Sequence, residues 1–374
     1  MSVVQQVLDR RALNRALLAR QLLLERSELS PLAAIEHLVG MQAQLPTPPY
    51  FGLWTRLEHF DPHELSQLYL DREVVRIALM RSTVHLVSAR DCLALRPALA
   101  QAVGRGLTPG SPYGKALAGV DLAELAVLGR ALVEANPLTG NEVAIALQKR
   151  WPRLDLRALA FAVRATVPLV QVPPRGLWGG VGPSRTTSAE AWLGRPMTEP
   201  DVAQLVRRYL AAYGPATVRD AQAWSGLTGL KSVFKNLADD LVTFRDESEA
   251  ELFDLPDAPR PASDSAVPIR FLPDFDQILL AHADRSRMFP PEHRMLIFTN
   301  NGIIRASVLI DGFARALWDI KQDKESATLV VTALPQIDGQ VVTRQHRMEI
   351  QREGKRLLAF AVPGKSHHIE VITT

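Results

Sequence analysis

Cysteine is nearly absent: Cys92 is the single one among 374 residues, which excludes an intrachain disulfide and any cysteine-rich zinc site. Aromatic residues make up only 6% of the chain and lysines number 8. The nine histidines include no H-E-x-x-H pattern, and there is no phosphate-cradling G-x-x-x-x-G-K-S/T loop, so neither a metal nor another cofactor is expected. No uncharged run approaches a membrane span. The opening MSVVQQVLDRR becomes charged too early for a secretory signal. A reducing cytoplasm is the expected setting, with no membrane contact.

What is there is an apolar, arginine-rich chain. Hydrophobic residues reach 47%, ample for packed interiors. The length implies roughly two to four modules instead of one core. Arginine supplies 35 of the 43 basic groups, and the net charge of +3 is unevenly spread. Residues 1–120 and 121–195 each carry +3, residues 196–265 carry −5 and residues 266–374 carry +2. A polyanion is drawn to the two N-terminal stretches and the last, and repelled by the third. Arginine's planar fork suits phosphate, but a GC-rich genome gives the same bias, so composition alone leaves DNA binding open.

Three stretches repeat one rhythm of helix, turn, helix and two short apolar strands. The first has helices from Arg11 to Glu25, from Ser30-Pro31 through Val39 and from Asp61-Pro62, then strands at 74–80 and 83–88. In the second, Asp121 to Ala135 is a helix and Thr139 with Glu142 is a capping box for the next. LDLRALAFAVRA gives a third helix, and VPLVQV and RGLWGG give strands. The third stretch has helices from Glu199 to Tyr213, after the Thr217–Asp220 cap and from Gly229 to Leu237, then a hairpin of LVTFR and ELFDL. This is the winged-helix plan, three times over. A Pro-rich linker (256–268) precedes alternating apolar runs, a helix over 342–352 and a closing strand pair at LLAFAV and HIEVIT. The expected fold is α+β and mainly helical: three tandem winged-helix units (1–118, 119–195 and 196–258) and a C-terminal antiparallel β-rich domain (259–374).

The most informative stretch is GMQAQLPTPPYFGLWTRL (40–57). Gln42 and Gln44 flank Ala43 where a helix gives way to a proline-rich turn, and in extended chain their side chains point the same way. Spacing alone leaves two such glutamines as solvated or capping residues. The pattern, however, resembles the Gln–apolar–Gln motif of the AlkZ/YcaQ family of bacterial DNA glycosylases. The likeness continues, in family order, through PYFGLWTRL, MRSTVHLVSARD (80–91), GPATVRDAQAWSGL (214–227), LPDFDQILLAHADRSR (272–287) and NGIIRASVLIDGFARALW (301–318). Gln44, where YcaQ-type relatives have Asp, places the chain with the AlkZ type. Ser82 departs from the glycine expected in an R-G-T turn.

The resemblance implies a monofunctional glycosylase that removes cationic N7-alkylated purines from double-stranded DNA, acting as a monomer in base excision repair. The Gln–Ala–Gln form is similar to enzymes that protect antibiotic producers from their own DNA-alkylating products, so bulky adducts or interstrand crosslinks are the implied lesions. Gln42 and Gln44 are then the catalytic pair. An amide is neither acid nor base near neutral pH, but it accepts through oxygen and donates through nitrogen. A cationic purine leaves as a neutral molecule without a general acid. What remains is to hold a water and stabilise an oxocarbenium-like sugar with oriented dipoles.

Arg81 at the first wing tip is a candidate phosphate contact. His85, in an apolar strand, is a structural histidine or a DNA contact. Arg305 and Arg315 follow the Asn301-Gly302 turn, on a hairpin that the resemblance implies enters the minor groove. Tyr50 and Trp54, four apart on a helix, read as core or, alternatively, as a lesion pocket. Asp284 and Arg285 are expected to pair, and His367-His368 to lie on the surface. The competing reading is a non-enzymatic transcriptional regulator, because winged helices mostly read DNA without altering it.

Overall fold

The computed structural model describes residues 6–337 and 342–372. A short strand, β1 (Val7–Leu8), leads into α1 (Arg10–Arg20), started by Asp9, whose carboxylate accepts from the Ala12 N–H. Ser30 caps α2 (Pro31–His37), with Pro31 in the first turn where its missing N–H costs nothing. Then come β2 (Met41–Gln42), α3 (Pro48–Trp54), α4 (Pro62–Leu70), the hairpin β3 (Val74–Ala78) and β4 (Val84–Ser88), and α5 (Ala89–Ala98), α6 (Ala100–Gly104) and α7 (Pro112–Ala116).

The second stretch runs α8 (Leu122–Ala135), β5 (Leu138–Thr139), α9 (Gly140–Gln148), α10 (Leu156–Thr166), β6 (Leu169–Gln171) and β7 (Arg185–Ser188). The Thr139–Glu142 capping box forms as the sequence predicts. RGLWGG (175–180) is not a strand. Gly176 and Gly179 take positive φ, and Trp178 turns back onto Tyr50, with ring centroids 5.0 Å apart. The next strand in the chain to pair with β6 is β7. Next come α11 (Ala189–Leu193), α12 (Val202–Tyr213), α13 (Val218–Ser225), which carries the expected Thr217–Asp220 box, α14 (Lys231–Asn236), and the hairpin β8 (Val242–Asp246) and β9 (Glu251–Asp254).

The wings do not stand as separate ribbons. β3 pairs with β6, so the first two stretches share one six-stranded sheet in the order β2-β4-β3-β6-β7-β5. The third hairpin is completed from the start of the chain, where β1 lies parallel to β8.

The C-terminal part runs β10 (Arg270–Leu272), α15 (Arg294–Ile297), β11 (Ser307–Ile310), β12 (Phe313–Gln322), β13 (Ser326–Ala333), α16 (Arg344–Ala361) and β14 (Ser366–Ile372). Its five strands lie in chain order, but β14 runs parallel to β13, so the sheet is mixed and not purely antiparallel. A helical crossover between neighbouring strands dictates this. LLAFAV belongs to that crossover and is not a strand. Ile350, Leu357 and Leu358 are fully buried on one helical face, and Gly354 lets it close on the sheet, since a Cβ there would meet Leu329 Cδ2 at 2.7 Å.

Arginines near the start of the chain reach acids far along it. Arg20 binds Asp254 through two hydrogen bonds of 2.6 and 2.8 Å, and Arg56 binds Asp276 through two of 2.8 and 2.9 Å. Arg15 pairs with Asp311 and Arg26 with Glu353. Both side chains of the Arg56–Asp276 pair are fully buried. The chain is thereby closed on itself.

Candidate active site

Gly40 turns the chain from α2 into β2 at φ +85°, and a Cβ there would strike Val87 Cγ1 at 2.6 Å. This tight turn seats Met41–Gln42 on the edge of the six-stranded sheet, with Gln42 directly opposite His85. Ala43 is held from two sides. Its N–H donates to the Val84 carbonyl at 2.8 Å, and its own carbonyl accepts from Arg76 Nη2 at 2.6 Å. The residue between the two glutamines is therefore fixed, and they inherit that fixation.

Both amides reach the same β3–β4 turn. Gln42 is 6% exposed, and its Oε1 accepts from Arg81 Nη2 at 2.8 Å. Gln44 is exposed, and its Oε1 accepts from the Val84 N–H at 3.4 Å, a long and weak contact. One amide is anchored; the other is free to turn. A carbonyl oxygen has two lone pairs, so Gln42 Oε1 keeps accepting capacity while Arg81 fixes its orientation.

His85 is buried beside Gln42. The Thr83 carbonyl, 3.0 Å from Nδ1, can only accept, so Nδ1 carries the proton and Nε2 is a bare acceptor. Among the described residues Nε2 has no hydrogen-bond partner. Burial, and then the neighbouring Arg81 charge, push the imidazole down to about 3. His85 is thus neutral at every working pH and is no surface contact for DNA. The same logic applies to His282, also held down to about 3 by burial and then by Arg287. Both histidines stabilise the fold fully above their unfolded value near 6.5. That contribution is lost as pH falls from about 6.5 towards 3. The urea midpoint is expected to decline over this window, and less steeply in a His85→Gln variant.

Arg81 does not stand out into solvent from a wing tip. It is half-buried in a left-handed conformation (φ 54°), and donates to Gln42 and to the Trp224 carbonyl. Burial lowers it to about 10. Ser82 beside it also has φ of 59°, the position where the family pattern has glycine. Ser82→Gly is expected to stabilise the protein by up to about 1 kcal/mol, read as a higher melting temperature, because an L side chain in that region is strained.

Tyr50 and Trp54 are core side chains. Tyr50 is fully buried and donates its hydroxyl to the Gly176 carbonyl at 2.7 Å, while Trp54 stacks on Phe360. Neither ring offers a face to a lesion. Arg305 is exposed ahead of β11, whereas Arg315, on β12, lies against the Phe313 ring. The β11–β12 turn is not free for a groove, because Asp311 binds Arg11 and Arg15 of α1. Asp284 and Arg285 do not pair: Asp284 accepts from Ser286, and Arg285 covers the Phe298 ring. His367 is half-buried, with Nε2 against the Val362 carbonyl, and His368 is exposed. Among the described residues no cluster of three or more metal-ligating side chains occurs, and no helix is long and apolar enough to cross a membrane.

The family model described as DNA glycosylase AlkZ-like matches residues 35–360. The chain belongs to that family. It is an enzyme of the DNA glycosylase type, and family membership does not favour a regulator. The relatives of this AlkZ-like chain include an interstrand DNA cross-link repair glycosylase from Streptomyces sahachiroi. That protein is 26% identical over 339 residues, which span 84% of this chain and 88% of the relative. The solved structure of Streptomyces sahachiroi DNA glycosylase AlkZ shares the fold, with a TM-score of 0.80 at 21% identity, covering 98% of this chain and 100% of that one.

Two residues escaped the sequence reading. Arg76 is 1% exposed in β3, directly behind Ala43, and its Nε and Nη1 have no partner among the described residues. A charge inside the apolar run VVRIALM was the available signal. Arg164, on α10, donates to the Ser82 carbonyl at 3.0 Å and so supports the Arg81–Ser82 turn from the second stretch. Nothing local marks it.

Proposed function

We propose that this enzyme hydrolyses the N-glycosidic bond of cationic N7-alkylated purines in double-stranded DNA, with bulky adducts or interstrand crosslinks of an alkylating natural product as its lesions. The observation that carries this reading is the pairing of an anchored amide, Gln42, with an exposed one, Gln44, at a site where, among the described residues, neither makes a hydrogen bond to a carboxylate. Gln44 holds the attacking water. Gln42, oriented by Arg81, sets the second contact and keeps partial negative charge towards the sugar. The leaving base supplies its own driving force, so a neutral site suffices and unmodified guanine is spared. The cross-link activity in the name of the Streptomyces relative agrees with this choice of lesion.

The test is mass spectrometry of bases released from duplex DNA treated with simple methylating agents, bulky monoadduct formers and crosslinkers. Release of N7-alkylguanine by the enzyme without added metal is expected. Release from none of these substrates would overturn the reading. The rate is also expected to vary by less than roughly threefold between pH 5 and 9. His85, at about 3, and Arg81, at about 10, both titrate outside that range.

A further inference from the structure

Arg81 has a second neighbourhood. Beside it lies a cleft of about 500 Å3 lined by Arg81, Ser82, Arg105, Tyr113, Phe161 and Arg164, among others. All three guanidiniums donate to protein, and among the described residues none donates to a carboxylate. Arg81 reaches the Trp224 carbonyl and Gln42, Arg105 the Gly226 carbonyl, and Arg164 the Ser82 carbonyl and hydroxyl. Among the described residues no aspartate or glutamate lines the cleft. Carbonyl contacts satisfy N–H geometry but leave three positive charges uncompensated at close quarters, an arrangement that an anion stabilises. Tyr113 and Phe161, which also line it, stack with centroids 4.5 Å apart and an interplanar angle of 15°, and Arg164 lies over the Phe161 ring at 5.2 Å. The cleft thus combines three guanidiniums with a stacked aromatic pair.

We infer that this cleft takes a backbone phosphate of the damaged strand next to the target nucleotide, with its sugar against the Tyr113–Phe161 wall. A cationic lesion is excluded by the same three charges that attract the phosphate. Arg81 belongs to both sites, since one guanidinium nitrogen orients Gln42 while the side chain lines the cleft. The phosphate therefore fixes the register of the strand relative to the amide pair, a positioning contact of the kind that carries no sequence information. The inference rests on the glycosylase reading only in taking DNA as the occupant.

The test is equilibrium binding of the full-length protein to a duplex with a central tetrahydrofuran abasic analogue. Each phosphate in turn is replaced by an uncharged methylphosphonate. For the parent enzyme, one or two adjacent positions are expected to lose about tenfold or more in affinity, the scale of a charge-assisted hydrogen bond. Arg105→Gln, an exposed substitution, and Arg164→Gln should each lose less affinity at those positions than the parent does. Each should also lower the slope of log K against log salt by about 0.9. Equal methylphosphonate losses in parent and variants, or an unchanged salt slope, would overturn the inference. If Arg164→Gln unfolds, Arg105→Gln carries the test alone. A flat methylphosphonate profile with normal base release removes the cleft and keeps the glycosylase. A position-specific profile without base release does the opposite.

Discussion

Gln44→Ala is expected to slow base release by about 10²–10³-fold, the cost of removing one oriented dipole from a reacting centre. Its stability should change by less than about 0.5 kcal/mol, because the side chain is exposed and its one hydrogen bond is 3.4 Å long. Gln42→Ala is expected to lose rate on the same scale, but with a stability cost of about 1–2 kcal/mol, because Arg81 Nη2 loses its acceptor. Single-turnover release from alkylated duplex, with a melting curve for each variant, separates the two. Gln44 is the cleaner probe. A Gln44→Ala protein at the parental rate would take the motif out of the chemistry.

The second large effect concerns the fold. Asp276→Ala leaves the Arg56 guanidinium buried with only the Gln21 and Gly52 carbonyls for company. Removing one member of a buried ion pair costs about 3–5 kcal/mol, on the order of 4–6 °C in melting temperature for a chain of this size. The double variant Arg56→Met with Asp276→Leu should be less destabilised than either single change, because no charge is stranded. Urea midpoints of the three variants check this. Equal losses in all three would mean that the site fails through packing and not through charge.

The parts of the structure legible in the sequence were those written locally. The boxes at Thr139–Glu142 and Thr217–Asp220 need only residues three apart, and both form. The change from helix to extended chain at Gln42 was legible from Gly40 and the prolines that follow, and the structure places it on the edge strand β2. What failed depended on distant partners. Arg81 looked like a wing-tip cation because nothing nearby shows that Gln42 and Trp224, 39 and 143 residues away, turn it inward. RGLWGG looked like a strand because the role of Trp178, packing on α3 and Phe360, is a long-range contact. LLAFAV has an apolar run that suits strand or helix, and only the burial of Ile350 one face earlier decides for helix. The merging of two wings into one sheet rests on the β3–β6 pairing, which no local pattern encodes.

The closure of the chain by early arginines on late acids sets the order in which the protein can mature on the ribosome. Arg20 waits for a partner 234 residues downstream, and Arg26 for one 327 residues downstream. At synthesis rates of about 5–20 residues per second that wait is roughly 10–65 seconds. Throughout it α1 lacks the acids that will hold Arg15 and Arg20, although the strand carrying Gln42 already has its β4 partner. The amino-terminal end of the molecule is made first and locked last, once Asp254, Asp311 and Glu353 have been synthesised.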